Sequence, residues 1–381
     1  MITMDLTLLY QEPLLYILTL GSFVVITLFL FVQYARPAFG KRDRNPVVKE
    51  EAPGVSVVLC VRNEYDNLVR LLPALLEQEY ETFEIVVVDK NSEDDTEVLL
   101  ASLEHFHKNL TVRILSANAK FGRDELMALG VGIRAAKYPS VVFFRPDCFP
   151  SSKKWLVSLV KTALEKTADT VMGYTSFTGS SLLVRYDMMD QQLHQMGATR
   201  RKMPYVSWGN NILFQKDKFL NGREFETSTT AFNQSEQAII SHVLEKNNTH
   251  SCVYPCGTVV LDRKITLQEY HHNRTERLCT LMLTKKRAWF LLTLEKVFIA
   301  AFYILLAFAC VRIGKTGDSL LMILPGGLLL LRWITVWMHY IGFGLHLDEK
   351  RLAYAAPVWD LFSPLVHFYY LVASLIKRLK N

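Results

Sequence analysis

Three short apolar runs in this chain each end on charged side chains. Glu84-Ile85-Val86-Val87-Val88 leads to Asp89 and Lys90, Val55–Val61 leads to Arg62-Asn63-Glu64, and Ser140–Phe144 leads to Arg145-Pro146-Asp147. Continuous β-branched and apolar runs of this length read as strands buried on both faces of a parallel sheet. In an open α/β sheet, ligands lie just beyond the carboxyl ends of the strands. Asp89 therefore stands where a ligand-binding carboxylate belongs, with the cation Lys90 beside it. The plainer reading makes Asp89 a strand-end turn acceptor, Asp147 a turn residue before Phe149-Pro150, and Lys90 and Arg145 ordinary solvated bases.

The elements needed to hold these residues follow in order. After the first strand, Leu68, Leu71, Leu72, Leu75 and Leu76 recur at helical spacing. A polar Asn91-Ser92 turn after Asp89 leads into a helix from about Thr96, with Leu99, Leu100 and Leu103 on one side, and a strand is expected over 110–115. Residues 120–137 read as a loop entering a helix that Gly130 and Gly132 interrupt. Strands alternating with helices imply right-handed parallel crossovers. Further on, the pattern predicts a helix over 155–168, one strand over 170–177, a loop feeding a strand at 208–214, a helix over 237–245 and a strand over 258–261.

Composition sets this α/β centre between membrane-like ends. The chain has 381 residues, half of them hydrophobic, and a positive mean hydropathy, too apolar for an ordinary soluble enzyme. The organisation read is a short tail over 1–13, a transmembrane helix at 14–35, a basic linker at 36–52, the α/β domain at 53–288, and transmembrane helices at 289–311 and 320–345. A last apolar segment at 353–376 holds Pro357, Asp360 and Pro364, and reads as transmembrane, re-entrant or interfacial. Arg36, Lys41, Arg42, Arg44 and Lys49 follow the first span, which by the positive-inside rule makes that side cytoplasmic. The acidic residues Asp5 and Glu12 before the span argue against a signal peptide. Four full spans would carry Lys377, Arg378 and Lys380 outside, whereas an interfacial or re-entrant last segment keeps them inside and is preferred. The expected location is a multi-pass inner cell membrane with the α/β domain in the cytoplasm.

Other signals carry less. The +6 net charge is modest and fits membrane-flanking bases rather than a nucleic-acid surface. The six cysteines lack zinc-site spacing, Cys252 and Cys256 included, and read as reduced thiols. His271-His272, ahead of Arg274 and Arg277, reads as a membrane-surface or acceptor-phosphate patch rather than a metal site. Arg332 inside an apolar run is a functional candidate, with pairing to Glu295 as the structural alternative. The sequons at Asn109, Asn233, Asn247 and Asn273 carry no meaning in a cytoplasmic domain.

Taken together, the ordered motifs resemble the membrane-anchored family 2 glycosyltransferases. Val55-Ser56-Val57-Val58-Leu59-Cys60-Val61-Arg62-Asn63-Glu64 looks like that family's opening strand and Asn-Glu turn. Leu75-Leu76-Glu77-Gln78-Glu79-Tyr80 with Phe83-Glu84-Ile85 looks like its Leu-x-x-Gln-x-Tyr lead-in, and Asp89 to Thr96 is similar to its Asp-Asp-x-Ser-x-Asp-x-Thr segment. Lys120-Phe121-Gly122-Arg123 resembles the Lys-x-Gly-Lys stretch, and Trp208-Gly209-Asn210-Asn211 the motif near the acceptor. The resemblance covers about residues 53–290 and implies a GT-A-like α/β fold, a mostly parallel sheet domain of the nucleotide-diphospho-sugar transferase type, flanked by transmembrane helices.

It also implies a site. Glu64, Asp89, Lys90, Arg145 and Asp147 would bind a nucleotide-sugar donor, Asn210 and Trp208 would sit on the acceptor side, and Glu236 would be the catalytic base. An inverting transfer needs such a carboxylate to take the acceptor proton. The chain departs from the family pattern at several points. Lys90 stands at the second Asp of the pair, Arg145-Pro146-Asp147 replaces Asp-x-Asp, Ser235-Glu236-Gln237 carries an amide at the usual base position, and Lys285-Lys286-Arg287-Ala288-Trp289 has Ala at the Arg of the Gln-x-x-Arg-Trp motif. An Arg cannot ligate Mg²⁺ and an amide cannot take a proton at neutral pH. Asp147 is left as the one candidate metal ligand for Mg²⁺ or Mn²⁺, in an incomplete Asp-x-Asp site.

Two functions follow. In one, the chain transfers a sugar to a membrane-associated glycan or lipid acceptor, with Lys90 and Arg145 as fixed cations in place of the metal. In the other, it is an inactive relative that binds or scaffolds a partner glycosyltransferase. No nucleic-acid partner is expected. A transporter or channel is disfavoured, because the spans are few.

Overall fold

The structure is a computed structural model that describes residues 13–33, 46–48, 52–116, 125–205, 211–220, 248–316, 322–347 and 349–380. In chain order the elements are α1 (Pro13–Gln33), β1 (Val55–Val61), α2 (Tyr65–Leu76), β2 (Phe83–Asp89), α3 (Thr96–Phe106), β3 (Leu110–Ile114), α4 (Glu125–Ala135), β4 (Ser140–Phe144) and β5 (Cys148–Pro150). They continue with α5 (Trp155–Lys166), β6 (Thr170–Met172), β7 (Thr175–Phe177), α6 (Leu182–Arg200), β8 (Asn211–Gln215), α7 (Lys216–Leu220), β9 (Thr249–Ser251) and β10 (Val259–Leu261). Four long helices close the chain: α8 (Leu267–Thr284), α9 (Lys286–Thr316), α10 (Ile323–His346) and α11 (Ala356–Lys380).

Among the described residues the main sheet has the order β3-β2-β1-β4-β8-β6-β9, and a small sheet the order β5-β10-β7. The β3-β2-β1-β4 half is parallel, and β8 is antiparallel to both its neighbours. The sheet is therefore mixed, and the all-parallel crossover pattern applies only to its first half. Strand alternation explains why the apolar runs are continuous. Val55, Val57, Leu59 and Val61 pack beneath α2, α3 and α5, while Val58 and Cys60 face α4 on the other side. Both faces are covered, so the strand is apolar at every position but Ser56, whose buried hydroxyl donates to Glu84 at 2.6 Å.

Two expectations change. Helix α4 is continuous through Gly130 and Gly132. A Cβ at Gly132 would stand 2.5 Å from Val58 Cγ1, so this glycine lets the helix lie close on the sheet rather than ending it. The single strand expected over 170–177 is two, β6 in the main sheet and β7 in the small one. Between them, a Cβ on Gly173 would meet Asn211 Nδ2 at 2.1 Å, so the turn admits only glycine beside that buried amide. Asn211 Oδ1 accepts from Trp155 Nε1 at 3.0 Å, and its Nδ2 donates to the Tyr174 and Gly257 carbonyls at 3.2 and 2.8 Å.

α1, α9, α10 and α11 each include a stretch long and apolar enough to cross a membrane. The buried polar helix α6 joins them to the sheets: Tyr186 packs on Tyr340 and Trp359, with ring centroids 5.1 and 5.7 Å apart. Arg185 donates to Glu349 at 2.8 Å. α11 runs unbroken through Pro364 and touches the α/β part at both ends, through Trp359 on Tyr186 and through an ion pair from Lys377 to Glu276 of α8. Arg332 pairs with Asp360, at 2.6 and 2.9 Å. Asp360 thus has a structural reason to interrupt the apolar sequence.

Candidate active site

The chain leaves β1 for β2 and β3 on one side, then returns to β4 on the other. This reversal opens a crevice at the carboxyl ends of β1 and β4, the place where open α/β sheets receive ligands. Register brings the three charged strand ends to one edge of the sheet: Val61 is opposite Asp89, and Leu59 is opposite Phe144.

The loops after β1 and β2 hold each other. Asn63 and Asn91 both adopt left-handed backbone, with φ of 53° and 59°, a conformation asparagine tolerates better than most residues. Asn63 N donates to Ser92 Oγ at 2.9 Å, Glu93 N to Asn63 Oδ1 at 2.8 Å, and Lys90 N to the Val61 carbonyl at 2.9 Å. Asp89 is fully buried. Its Oδ1 accepts from the Ser92 amide and hydroxyl at 3.1 and 2.6 Å, as the turn-acceptor reading requires. Its Oδ2 is buried and accepts no hydrogen bond from the described residues. A buried carboxylate oxygen without a donor is costly, so this atom is suited to a ligand hydroxyl. Lys90 is half-buried next to it.

Beyond β4, Arg145 folds back on Asp147. Its Nε donates to Oδ1 at 3.0 Å and its Nη2 to Oδ2 at 3.1 Å. A second guanidinium, that of Arg263, reaches the same carboxylate, with Nε 3.0 Å from Oδ2. Arg263 is in turn held by Glu269 through two bonds of 2.7 Å. Burial opposes ionisation of Asp147, but the charges and hydrogen bonds of Arg145 and Arg263 outweigh it and hold the carboxyl below its ordinary range. Glu64 is close enough to feel these groups. Burial raises its pKa first, the Asp147 charge adds to this, and the Asn67 bond at 2.6 Å with the two arginines opposes it.

The structure thus gathers Glu64, Arg145 and Asp147 around one crevice, with Asp89 and Lys90 at the adjoining strand end. Glu236, Asn210 and Trp208 lie outside the described residues, as does the stretch at 120–123. Arg263 and Glu269 escaped the sequence reading. They stand 116 residues or more from Asp147, and no local spacing marks them. Arg274 and Arg277 also differ from the surface patch expected of them. Both are buried, Arg274 against Asp187 at 2.9 Å and Arg277 on the Tyr205 hydroxyl at 3.2 Å, while His271 and His272 are exposed.

A divalent ion fits this donor set poorly. Both Asp147 oxygens accept guanidinium N–H groups, and among the described residues no three His, Cys, Asp or Glu side chains are grouped to ligate a metal. The two guanidinium groups are themselves held by Asp147 and Glu269.

A mixed sheet of this order with its ligand crevice at the β1–β4 reversal is a GT-A-like fold. Residues 56–219 match the family model described as glycosyl transferase family 2. It is similar to glycosyltransferase AglE of Haloferax volcanii, 28% identical over 156 residues that make up 40% of this chain and 50% of that protein. It is similar also to glycosyltransferase GlyG of Streptococcus pneumoniae, 25% identical over 196 residues, 46% of this chain and 63% of the other. The chain thus spans less than two thirds of the length of these curated relatives. Among solved structures, a mannosyltransferase from Pyrobaculum calidifontis in complex with GDP-mannose and Mn²⁺ aligns with a TM-score of 0.51 at 17% identity, over 92% of this chain and 98% of that one.

Proposed function

We propose that this protein is a membrane-held, inverting glycosyltransferase that moves a sugar from a nucleotide donor to a membrane-associated acceptor. The observation that carries the reading is the buried Oδ2 of Asp89 at the carboxyl end of β2, which has no hydrogen-bond partner among the described residues, in a region that matches the glycosyl transferase family 2 model. Asp89 and Glu64 accept hydrogen bonds from the nucleoside part of the donor. Lys90, Arg145 and Arg263 neutralise the diphosphate as it leaves, with Asp147 holding the two guanidinium groups in position. The acceptor hydroxyl oxygen attacks the anomeric carbon, the bond from that carbon to the diphosphate oxygen breaks, and Glu236 takes the hydroxyl proton. Asn210 and Trp208 line the acceptor side.

The domain sits on the cytoplasmic face. α1, α9 and α10 cross the membrane, and α11 packs against α9 and α10 through Asp360 while its two ends touch the α/β part. Calorimetry on the detergent-solubilised full chain with UDP-glucose and GDP-mannose, each with EDTA and with Mn²⁺, tests the reading. Saturable binding in EDTA that is lost in Asp89→Ala, with donor turnover lost in Glu236→Gln, is the expected result. Absence of binding to every nucleotide sugar tried overturns it.

A further inference from the structure

Helix α6 and the helices packed on it bury a set of charges that the transfer chemistry does not use. Around His194 of α6 stand the cations Arg201, Arg277 and Lys296 and the carboxylates of Asp190 and Glu295, with Arg274 and Asp187 beside them. Most of these charges have a partner. Arg274 pairs with Asp187 at 2.9 Å, and Asp187 also accepts from the Tyr270 hydroxyl at 2.7 Å. Lys296 lies 3.5 Å from Glu295, and Asp190 accepts from the Tyr340 hydroxyl. Glu276, the residue before Arg277, is taken by Lys377.

Arg277 is the exception. Its side chain is 1% exposed, and Nη2 donates to the Tyr205 hydroxyl at 3.2 Å, a neutral acceptor. Nε and Nη1 are buried and donate to no described residue. Among the described residues no carboxylate comes within ion-pair distance of it. An arginine stays protonated when buried, and a buried charge without a counter-charge is strongly destabilising. The cluster holds four cations, Arg201, Arg274, Arg277 and Lys296, against three carboxylates, Asp187, Asp190 and Glu295. His194 adds no charge, because burial drives its pKa well below the ordinary value. One positive charge is in excess, and Arg277 is the residue that carries it.

We propose that Arg277 and the Tyr205 hydroxyl bind one small monovalent anion, of the size of chloride, at the junction of α8 with the end of α6. A single negative charge cancels the excess, where a phosphate dianion would reverse it and cost more to strip of water. The phenol can accept from Arg277 and turn its own hydrogen to the ion. The assignment is independent of the transferase reading. Thermal unfolding of the full chain in detergent tests it, with sodium chloride or bromide titrated against sodium gluconate at equal ionic strength. Both halides raise the melting temperature saturably, by about 5 °C at a hundred times the dissociation constant, and the bulky gluconate does not. Arg277→Met loses the halide dependence and melts above the wild type in gluconate, because the charge that needed the ion is gone. Tyr205→Phe keeps the ring and needs about tenfold more chloride for the same shift, as expected for one lost hydrogen bond. Crystals of the full chain grown in bromide show an anomalous peak beside Arg277, a result that stands even where Arg277→Met does not fold. Equal stabilisation by gluconate, a halide shift unaltered in both variants, or no bromide at Arg277 overturns the site.

Discussion

Arg263 Nε and Asp147 Oδ2 stand 3.0 Å apart, joining the turn after β4 to the segment after β10. The contact converts a lone carboxylate into the centre of a cation pair, because Arg145 reaches the same side chain from two residues away. The cluster is therefore built from two chain segments, with Glu269 holding Arg263 from the start of α8, and both must fold for it to form.

Arg263→Ala is expected to weaken nucleotide-sugar binding by about 10- to 100-fold, the equivalent of about 1.5–3 kcal/mol for a hydrogen bond to a charged group. Arg145→Ala should act similarly. Calorimetry in EDTA measures both. Unchanged affinity in both variants would remove the arginines from the donor site.

The depressed pKa of Asp147 fixes a pH dependence. A carboxyl whose folded value lies below its ordinary 3.8 contributes stability that is present above that value and is lost as pH falls through the folded value. The melting temperature of the wild type should exceed that of Asp147→Asn by a constant margin above about pH 5 and lose the margin only in stronger acid. A margin that vanishes nearer neutrality would mean that the Arg145 and Arg263 bonds do not persist in solution.

Much of this was legible in residue order. The continuous valine and isoleucine runs of β1, β2 and β4 announced buried parallel strands, and the residues ending them meet at one crevice because parallel strands share a carboxyl edge. The second half was less legible, for physical reasons. β6 and β7 are three residues each, too short for a periodicity, and only the steric demand of Asn211 on Gly173 separates them. α6 carries Asp187, Asp190, Gln191, Gln192, His194 and Gln195, and all are buried. Its polar sequence concealed a core helix whose side chains bond to one another and to α8. Arg263 could not be found from spacing, because its partner lies in a different sheet segment.

Glu64 illustrates a site that costs stability. Its carboxyl pKa is raised above the ordinary 4.5, by burial first and the Asp147 charge next. A raised acid value means that stability falls as pH climbs through the window between the unfolded and folded values. Glu64→Gln should therefore melt higher than wild type at neutral pH, with the advantage disappearing below the ordinary carboxyl range, and should bind the nucleotide donor more weakly. Thermal unfolding across pH with parallel calorimetry checks both arms. A variant that melts lower at neutral pH would show that the ionised carboxylate is needed for folding.

The buried pair of Arg332 and Asp360 gives the last test, and it separates architecture from transport. Arg332 on α10 donates to both Asp360 oxygens on α11, at 2.9 and 2.6 Å, and Tyr303 of α9 donates to Asp360 Oδ2 at 2.8 Å. Three helices thus converge on one carboxylate. Removing one partner leaves an uncompensated buried charge, so Arg332→Met alone should destabilise by about 3–5 kcal/mol, whereas replacing both ions with apolar groups restores most of the loss. The double variant Arg332→Met with Asp360→Leu should accordingly recover a melting temperature near that of the wild type and keep donor turnover, because the pair lies away from Asp89 and Asp147. Thermal unfolding and donor hydrolysis of the three proteins in detergent decide it. Recovered stability without recovered turnover would show that the charges themselves serve the reaction and would move the functional centre into the helical bundle.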